Sequence, residues 1–256
     1  MTKRESIAQI KEQLALISDS TDPYLLELQK DDRIGVKKCL EQWGNKQRKK
    51  EKLEKQYLAM RIFEDACFAK GDKIVAGIDE VGRGPLAGPV VAAAVVLPIE
   101  HKILGLNDSK KLSVKKREEL AKEIQKEAVA IGIGIVSPEI IDQINIYQAS
   151  RLAMTQAVEK LAILPDHLLI DAMTLDLPIG QEKIIKGDAR SVSIAAASIV
   201  AKVYRDHLMA DYHKKYPHYG FDKNAGYGTK AHLEGLANYG ITPIHRKTFA
   251  PIKNYL

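Results

Sequence analysis

Asp79 and Glu80 stand side by side after a short apolar run, Ile74–Ile78, and are followed by Gly82-Arg83-Gly84 and a second apolar run. Adjacent carboxylates at the end of a buried strand are costly unless something cationic meets them. The glycines allow a sharp turn or a close approach to a ligand, and the planar guanidinium fork of Arg83 suits phosphate. Two more aspartates share this context. Asp171 closes the run His167–Ile170, and Asp188 sits in IIKGDARS, just before a long helical pattern. Clustered carboxylates repel and hold their protons unless a divalent cation neutralises them. An oxygen-only set favours Mg²⁺ or Mn²⁺ over zinc. Two such ions about 4 Å apart can activate a water and stabilise the leaving oxygen of a phosphodiester. For one aspartate, a helix cap or a closed turn is the simpler role. The four acids together, beside Arg83 and lysines, favour a metal-and-phosphate site.

Other readings of the glycine turn fail on detail. Gly82-x-Gly84-x-x-x-Gly88 lacks the dinucleotide spacing, Pro85 and Pro89 remove backbone donors, and no helix opens after it. There is no Gly-Lys-Ser/Thr for a P-loop and no Gly-x-Ser-x-Gly elbow. The seven histidines contain no His-x-x-x-His pair, which argues against zinc. In the loop Asn107–Leu112, Ser109 and Lys110 can hold a phosphate, or form a plain polar turn with a helix cap. Farther on, Tyr216, Tyr219, Phe221 and Tyr227 interleave with lysines and histidines, a pattern suited to stacking on sugars or bases. Ile244-His245-Arg246-Lys247 reads as a further basic patch.

These residues need a scaffold. Ile74–Ile78, Pro89–Leu97, Ala128–Val136, His167–Ile170 and Lys183–Ile185 read as strands, the first two apolar enough to be buried on both faces. Ser113 caps a helix reaching Glu127, Ser137-Pro138 starts another, and Asn145 begins one ending near Leu161. From Ser191 to Tyr212, Val192, Ala195, Ala196, Ile199, Val200 and Val203 repeat with helical spacing. Strands mixed with helices predict an α/β layered domain, and Asp79 and Asp171 can then meet at the carboxyl ends of its strands.

Residues 1–70 differ: they read as a helical extension, with Ser6–Ile17 helical, Asp22-Pro23 a helix start, and a long helix Lys46–Ala69 closed by Gly71. The lysine-rich stretch 46–52 can meet a phosphate backbone, although a solvated helical face is the more usual role of a mixed-sign run. Trp43, Tyr57 and Phe63 can dock the extension on the main domain or a partner. The chain has 256 residues, 45% hydrophobic and 28% charged, with a net charge of +6 that points mildly towards polyanions. No apolar run reaches membrane-spanning length, no signal peptide is evident, and two cysteines give no disulfide framework. An intracellular protein is expected.

GIDEVGRGPLAGPVVAAAVVL, LNDSKKLS, LLIDAM, IIKGDARSVSIAAASIVAKVYRD, YPHYGF, GYGTKAHLEGL and PIHRKTF, in continuous order over roughly residues 72–256, closely resemble the bacterial ribonuclease HII family, the type 2 ribonucleases H. The resemblance implies a ribonuclease H-like fold, with a central mixed five-stranded sheet flanked by helices and a helical C-terminal part. It implies an endonuclease that hydrolyses RNA in RNA–DNA hybrids and cuts on the 5′ side of single ribonucleotides in duplex DNA, in ribonucleotide removal. The products would be a 3′-hydroxyl and a 5′-phosphate. Carried onto this chain, Asp79, Glu80, Asp171 and Asp188 would be catalytic and hold two Mn²⁺ or Mg²⁺ ions. Gly82, Arg83 and Gly84 would read the ribose 2′-hydroxyl, and Tyr227 would stack on the neighbouring deoxyribose. Ser109 and Lys110 would also lie at the substrate. Ala172 departs from the glycine of many relatives, which should matter little, and the minimal members lack the extension. A cytoplasmic monomer is expected. Two rivals stand beside this reading: a ribonuclease HIII, whose members carry Gly-Thr-Gly at the turn, and a catalytically silent hybrid-binding module.

Overall fold

The computed structural model describes residues 5–256. Its contacts divide the chain into two units, Met1–Gln56 and Tyr57–Leu256. The first is helical: α1 (Ile7–Leu16), α2 (Pro23–Leu28) and most of α3 (Ile34–Met60). Ser6 and Gln9 form a reciprocal cap on α1, and Asp22 caps α2 with Pro23 at its first position. Ile10, Leu14, Leu25, Leu28, Val36 and Cys39 make its core. Trp43 belongs there too, its indole N–H donating to the Ile17 carbonyl at 3.0 Å.

In place of one helix over Lys46–Ala69, α3 begins at Ile34, runs through Gly44 and ends at Met60, and α4 (Ile62–Ala69) follows. An interior glycine costs about 1 kcal/mol, which packing of the Cys39 and Trp43 side of α3 offsets. The break at Arg61 lets Tyr57 and Met60 enter the core of the second unit while α4 buries Glu64 and Cys67. Lys46, Arg48, Lys49, Lys50 and Lys52 are all exposed along α3.

The second unit is built on five strands, β1 (Val75–Val81), β2 (Val90–Val96), β3 (Ala130–Val136), β4 (His167–Asp171) and β5 (Gly180–Ile184), in the order β3-β2-β1-β4-β5. β1–β2 and β2–β3 pair antiparallel, β1–β4 and β4–β5 parallel. α5 (Val114–Glu127) and α7 (Val192–Lys215) cover one face, where Leu120, Ile124, Ala196 and Ile199 meet Ala93 and Val95. α6 (Pro138–Glu159) covers the other, with Ala153, Met154 and Ala157 against Ile78, Ala92 and Ala94. α6 kinks at Asn145, which has φ 67° and accepts from the Tyr147 and Gln148 amides, so a new helix does start there. α7 packs tightly on β1: a β-carbon on Gly77 would lie 2.1 Å from the Ser193 carbonyl carbon, so only glycine fits. Two short helices, α8 (Phe221–Asn224) and α9 (Lys230–Tyr239), complete the C-terminal part.

Candidate active site

Alternation along β1 divides its two acids between the faces of the sheet. Asp79 shares the side of Gly77 and points to α7, where the Ser198 hydroxyl bonds it; Glu80 shares the side of Ile78. Both lie within β1, which pairs with β2 as far as Val81↔Val91, so they do not end the strand. The parallel pairing with β4 does stop there, at Ile78↔Ile170, and the next residue on each strand is Asp79 and Asp171. Asp188 follows β5 in a single 3-10 turn, Gly187–Ala189. That turn is tied back, because the Gly187 amide donates to Asp171 Oδ1 at 2.7 Å.

The electrostatics match four acids sharing one place. Burial pushes the Asp79 carboxyl well above its ordinary value, and Glu80 and Asp171 push it further. Burial also raises Glu80, with Arg83 opposing and Asp171 adding, and raises Asp171, with the Gly187 amide opposing and Asp188 adding. Glu80 Oε2 is buried with no hydrogen-bond partner. Among the described residues, no three of these acids bring ligand oxygens within 4.8 Å of one another. The trio that does meet that spacing is Cys67, Asp72 and His167. It stands at the start of β4, four residues and roughly 13 Å of strand from Asp171.

The turn after β1 is held from within the protein. Arg246 is fully buried and donates to the carbonyls of Gly82 at 2.5 Å, Arg83 at 2.8 Å and Gly88 at 3.0 Å. Arg205, also fully buried, donates to Pro89, Ala87 and Ala225. Gly82 has φ 92°, and a β-carbon there would lie 2.3 Å from Arg205 Nε, so glycine is required twice over. Burial lowers both guanidinium pKa values, to about 10 for Arg205 and about 9 for Arg246, whose neighbour Arg205 adds repulsion. With its inside face bonded this way, the turn presents Arg83 outward, where Nη1 lies 3.3 Å from Glu80 Oε1.

Tyr227 is half-exposed, and its ring edge is 3.4 Å from where a Gly84 β-carbon would be. The other aromatics of its stretch do not share that position. Tyr219 and Phe221 are buried and stack on each other, with centroids 5.3 Å apart. The expected basic patch at Ile244–Lys247 is corrected as well: Ile244, His245 and Arg246 are buried. His245 and His232 meet through their Nε2 atoms at 3.0 Å, and His232 Nδ1 reaches the Tyr227 carbonyl at 2.9 Å. Charge in a sequence does not tell which way a side chain points. Here Arg246 faces backbone carbonyls, while Lys247 alone of the stretch is exposed.

Lys110 and Ser109 stand in a 3-10 turn, Ser109–Lys111. Lys110 Nζ is 3.5 Å from Asp188 Oδ2 and 3.6 Å from Asp108. Although burial opposes its charge, Asp108, Asp188 and Asp79 keep the ammonium above its ordinary pKa. Ser109 is buried, with its hydroxyl 3.0 Å from that of Ser198, the residue bonding Asp79. Ala172 has φ 52°, a region where a β-carbon costs roughly 1 kcal/mol, so the departure from glycine is strained.

Comparison with known proteins points to one family. The family description "Ribonuclease HII" matches residues 76–252, and "Ribonuclease HII N-terminal domain" matches residues 6–68, so the helical extension has relatives of its own. Ribonuclease HII of Enterococcus faecalis is 59% identical over 253 residues, covering 99% of each chain. Ribonuclease HII of Bacillus subtilis is 54% identical over 250 residues, covering 98% of each. Among solved structures, the ribonuclease H2 of Pyrococcus horikoshii superposes with a TM-score of 0.62 at 27% identity, over 71% of this chain and 96% of that one. A ribonuclease HIII solved with Mn²⁺ has a TM-score of 0.55 at 20% identity over 74% of this chain and 71% of that one, a likeness of fold alone.

Proposed function

The chain belongs to the ribonuclease HII family, and on that premise we propose that it cuts duplex DNA 5′ of a single embedded ribonucleotide, with Asp79, Glu80, Asp171 and Asp188 holding two divalent cations. Membership itself carries the coarser statement: the protein is a nuclease of ribonuclease H type, a phosphodiester hydrolase acting on RNA–DNA hybrids with divalent metal. The finer reading is supported above all by one arrangement. The acids and the glycine turn are joined through Arg83 and Glu80, and Tyr227 flanks the same turn.

The donor set suits Mg²⁺ or Mn²⁺. It is all oxygen, Glu80 Oε2 is buried without a partner, and burial with mutual repulsion keeps three of the carboxyls reluctant to ionise. Cations held there supply Lewis acidity towards an attacking water and the leaving 3′ oxygen. The chain's own groups do the positioning. Arg83 and the backbone of Gly82 and Gly84 meet the 2′-hydroxyl, the group that separates RNA from DNA. Tyr227 lies against the adjoining sugar. Lys110 balances part of the acidic charge, and Ser109 with Ser198 steadies Asp79. Because metal must displace protons from acids whose pKa values are raised, Mn²⁺ affinity should fall with decreasing pH through a range above the ordinary carboxylate value of about 4. Calorimetric titration at several pH values checks this; a flat response above pH of about 5 contradicts it.

The functional test compares a duplex carrying one ribonucleotide with a long RNA–DNA hybrid. Cleavage of both is expected. Cutting of the hybrid alone would favour ribonuclease HIII-like selectivity, and binding without cutting in either metal would favour a silent module.

A further inference from the structure

We propose that Glu64 is a positioning residue for Asp188 and Asp171, acting by anchoring the first turn of α7. The proposal rests on the metal-binding role given to those acids above. Glu64 lies on α4, outside the residues 76–252 matched by the catalytic family description, and is only 2% exposed. A carboxylate in such a place is costly unless it is bonded. Its Oε1 accepts from the Ser191 hydroxyl at 2.5 Å and from the Ser193 amide at 2.9 Å. Oε2 is buried without a partner, so the hydrogen bonding of this group is directed through Oε1 to α7.

The recipient is the N-terminus of α7. Ser191 is its N-cap, accepting from the Ile194 amide at 3.1 Å while donating to Glu64. First-turn amides lack partners within the helix and carry its positive end, so an anion there is stabilising. Glu64 reaches this end from 127 positions away in sequence. Gly77 leaves no room between β1 and Ser193, so the first turn is held by both β1 and α4. From Ser191 the order passes to the metal side of the fold. The Ser191 amide donates to the Gly187 carbonyl at 2.9 Å, and the Gly187 amide donates to Asp171 Oδ1 at 2.7 Å. Asp188 sits within that turn, three residues before Ser191. Release of Glu64 therefore frees the segment that sets two of the four acids, while Arg83 and Tyr227 keep their own supports.

The test uses the full chain with Glu64→Ala, Glu64→Gln and Ser191→Ala, reading Mn²⁺ affinity by calorimetry and steady-state cleavage of the single-ribonucleotide duplex. Residues that orient metal ligands typically contribute 10- to 100-fold. Glu64→Ala is expected to weaken Mn²⁺ binding and lower kcat at limiting metal by about tenfold or more, with KM for the duplex changed by less than about twofold. Glu64→Gln retains an Oε1 acceptor and is expected to recover most of the loss. A folded Glu64→Ala with wild-type Mn²⁺ affinity overturns the proposal and leaves Glu64 a stability role. If Glu64→Ala does not fold, Ser191→Ala carries the test: weaker Mn²⁺ binding is expected, and unchanged binding overturns the proposal. A wild-type chain that binds no Mn²⁺ overturns the four-acid reading itself, and the proposal with it.

Discussion

Asp79→Asn is expected to stop cleavage and, in the absence of divalent cations, to raise the melting temperature. The two effects share a cause. Asp79 is 4% exposed, lies beside Glu80 and is next in register to Asp171, so burial and like charge oppose its ionisation. A carboxyl whose folded pKa is raised contributes stability that is fully present at low pH and is lost as pH rises through that raised value. At neutral pH the wild-type protein bears that loss, and asparagine does not. The amide oxygen can still accept from the Glu80 amide, which donates to Asp79 Oδ1 at 2.8 Å. Activity has no such refuge. If Asp79 holds metal as proposed, its loss would forfeit several kcal/mol of transition-state stabilisation, on the order of 10³-fold in rate. Melting curves in chelator with cleavage assays check both parts. A variant less stable than wild type in chelator would show that the acid is held favourably, contrary to the electrostatic argument.

Arg246→Met should be the most damaging substitution outside the acids. Its side chain is completely buried, and three backbone carbonyls of the turn, those of Gly82, Arg83 and Gly88, accept from it. Hydrogen bonds from a charged donor contribute about 1.5–3 kcal/mol each, and stranded carbonyls add a desolvation cost. Removing the cation relieves repulsion from Arg205 and the cost of burying a charge, which opposes the loss. Three bonds outweigh that relief, so a net loss of about 3 kcal/mol is expected, or roughly 6–12 °C in melting temperature. Because the turn carries the groups assigned to the 2′-hydroxyl, kcat/KM on a single ribonucleotide should fall more than on a long hybrid. Equal losses on both substrates would mean that Arg246 supports the fold without shaping selectivity.

The two substitutions mark how far the sequence was legible. Asp79, Glu80, Gly82, Arg83 and Gly84 stand together in the chain, and apolar runs before Asp79 and Asp171 announce buried strands, so local pattern was enough to name them. The supports of that motif left no comparable trace. Arg246 donates to carbonyls more than 150 positions away, and carbonyls are the same in every residue, so no spacing encodes the contact. A basic run reads as solvent-facing unless its partners are known, which is why Ile244–Lys247 was expected at the surface. Glu64 was hidden differently: the expected helix Lys46–Ala69 assigned it to the extension, yet α4 lies in the same compact unit as the sheet. The boundary between the units falls inside α3, between Gln56 and Tyr57, where the helix itself is unbroken. Tyr219 and Tyr227 likewise look equivalent in sequence, and only packing makes one core and leaves the other half-exposed.

The most direct measurement is end-mapping of the products from a DNA duplex containing one ribonucleotide, with Mg²⁺ and with Mn²⁺. Metal-dependent hydrolysis at Asp79, Glu80, Asp171 and Asp188, with the 2′-hydroxyl read by the turn around Arg83, predicts one cut on the 5′ side of the ribonucleotide, a 3′-hydroxyl, a 5′-phosphate and no cleavage in chelator. A cut 3′ of the ribonucleotide leaving a cyclic phosphate, or cleavage that persists in chelator, would contradict it.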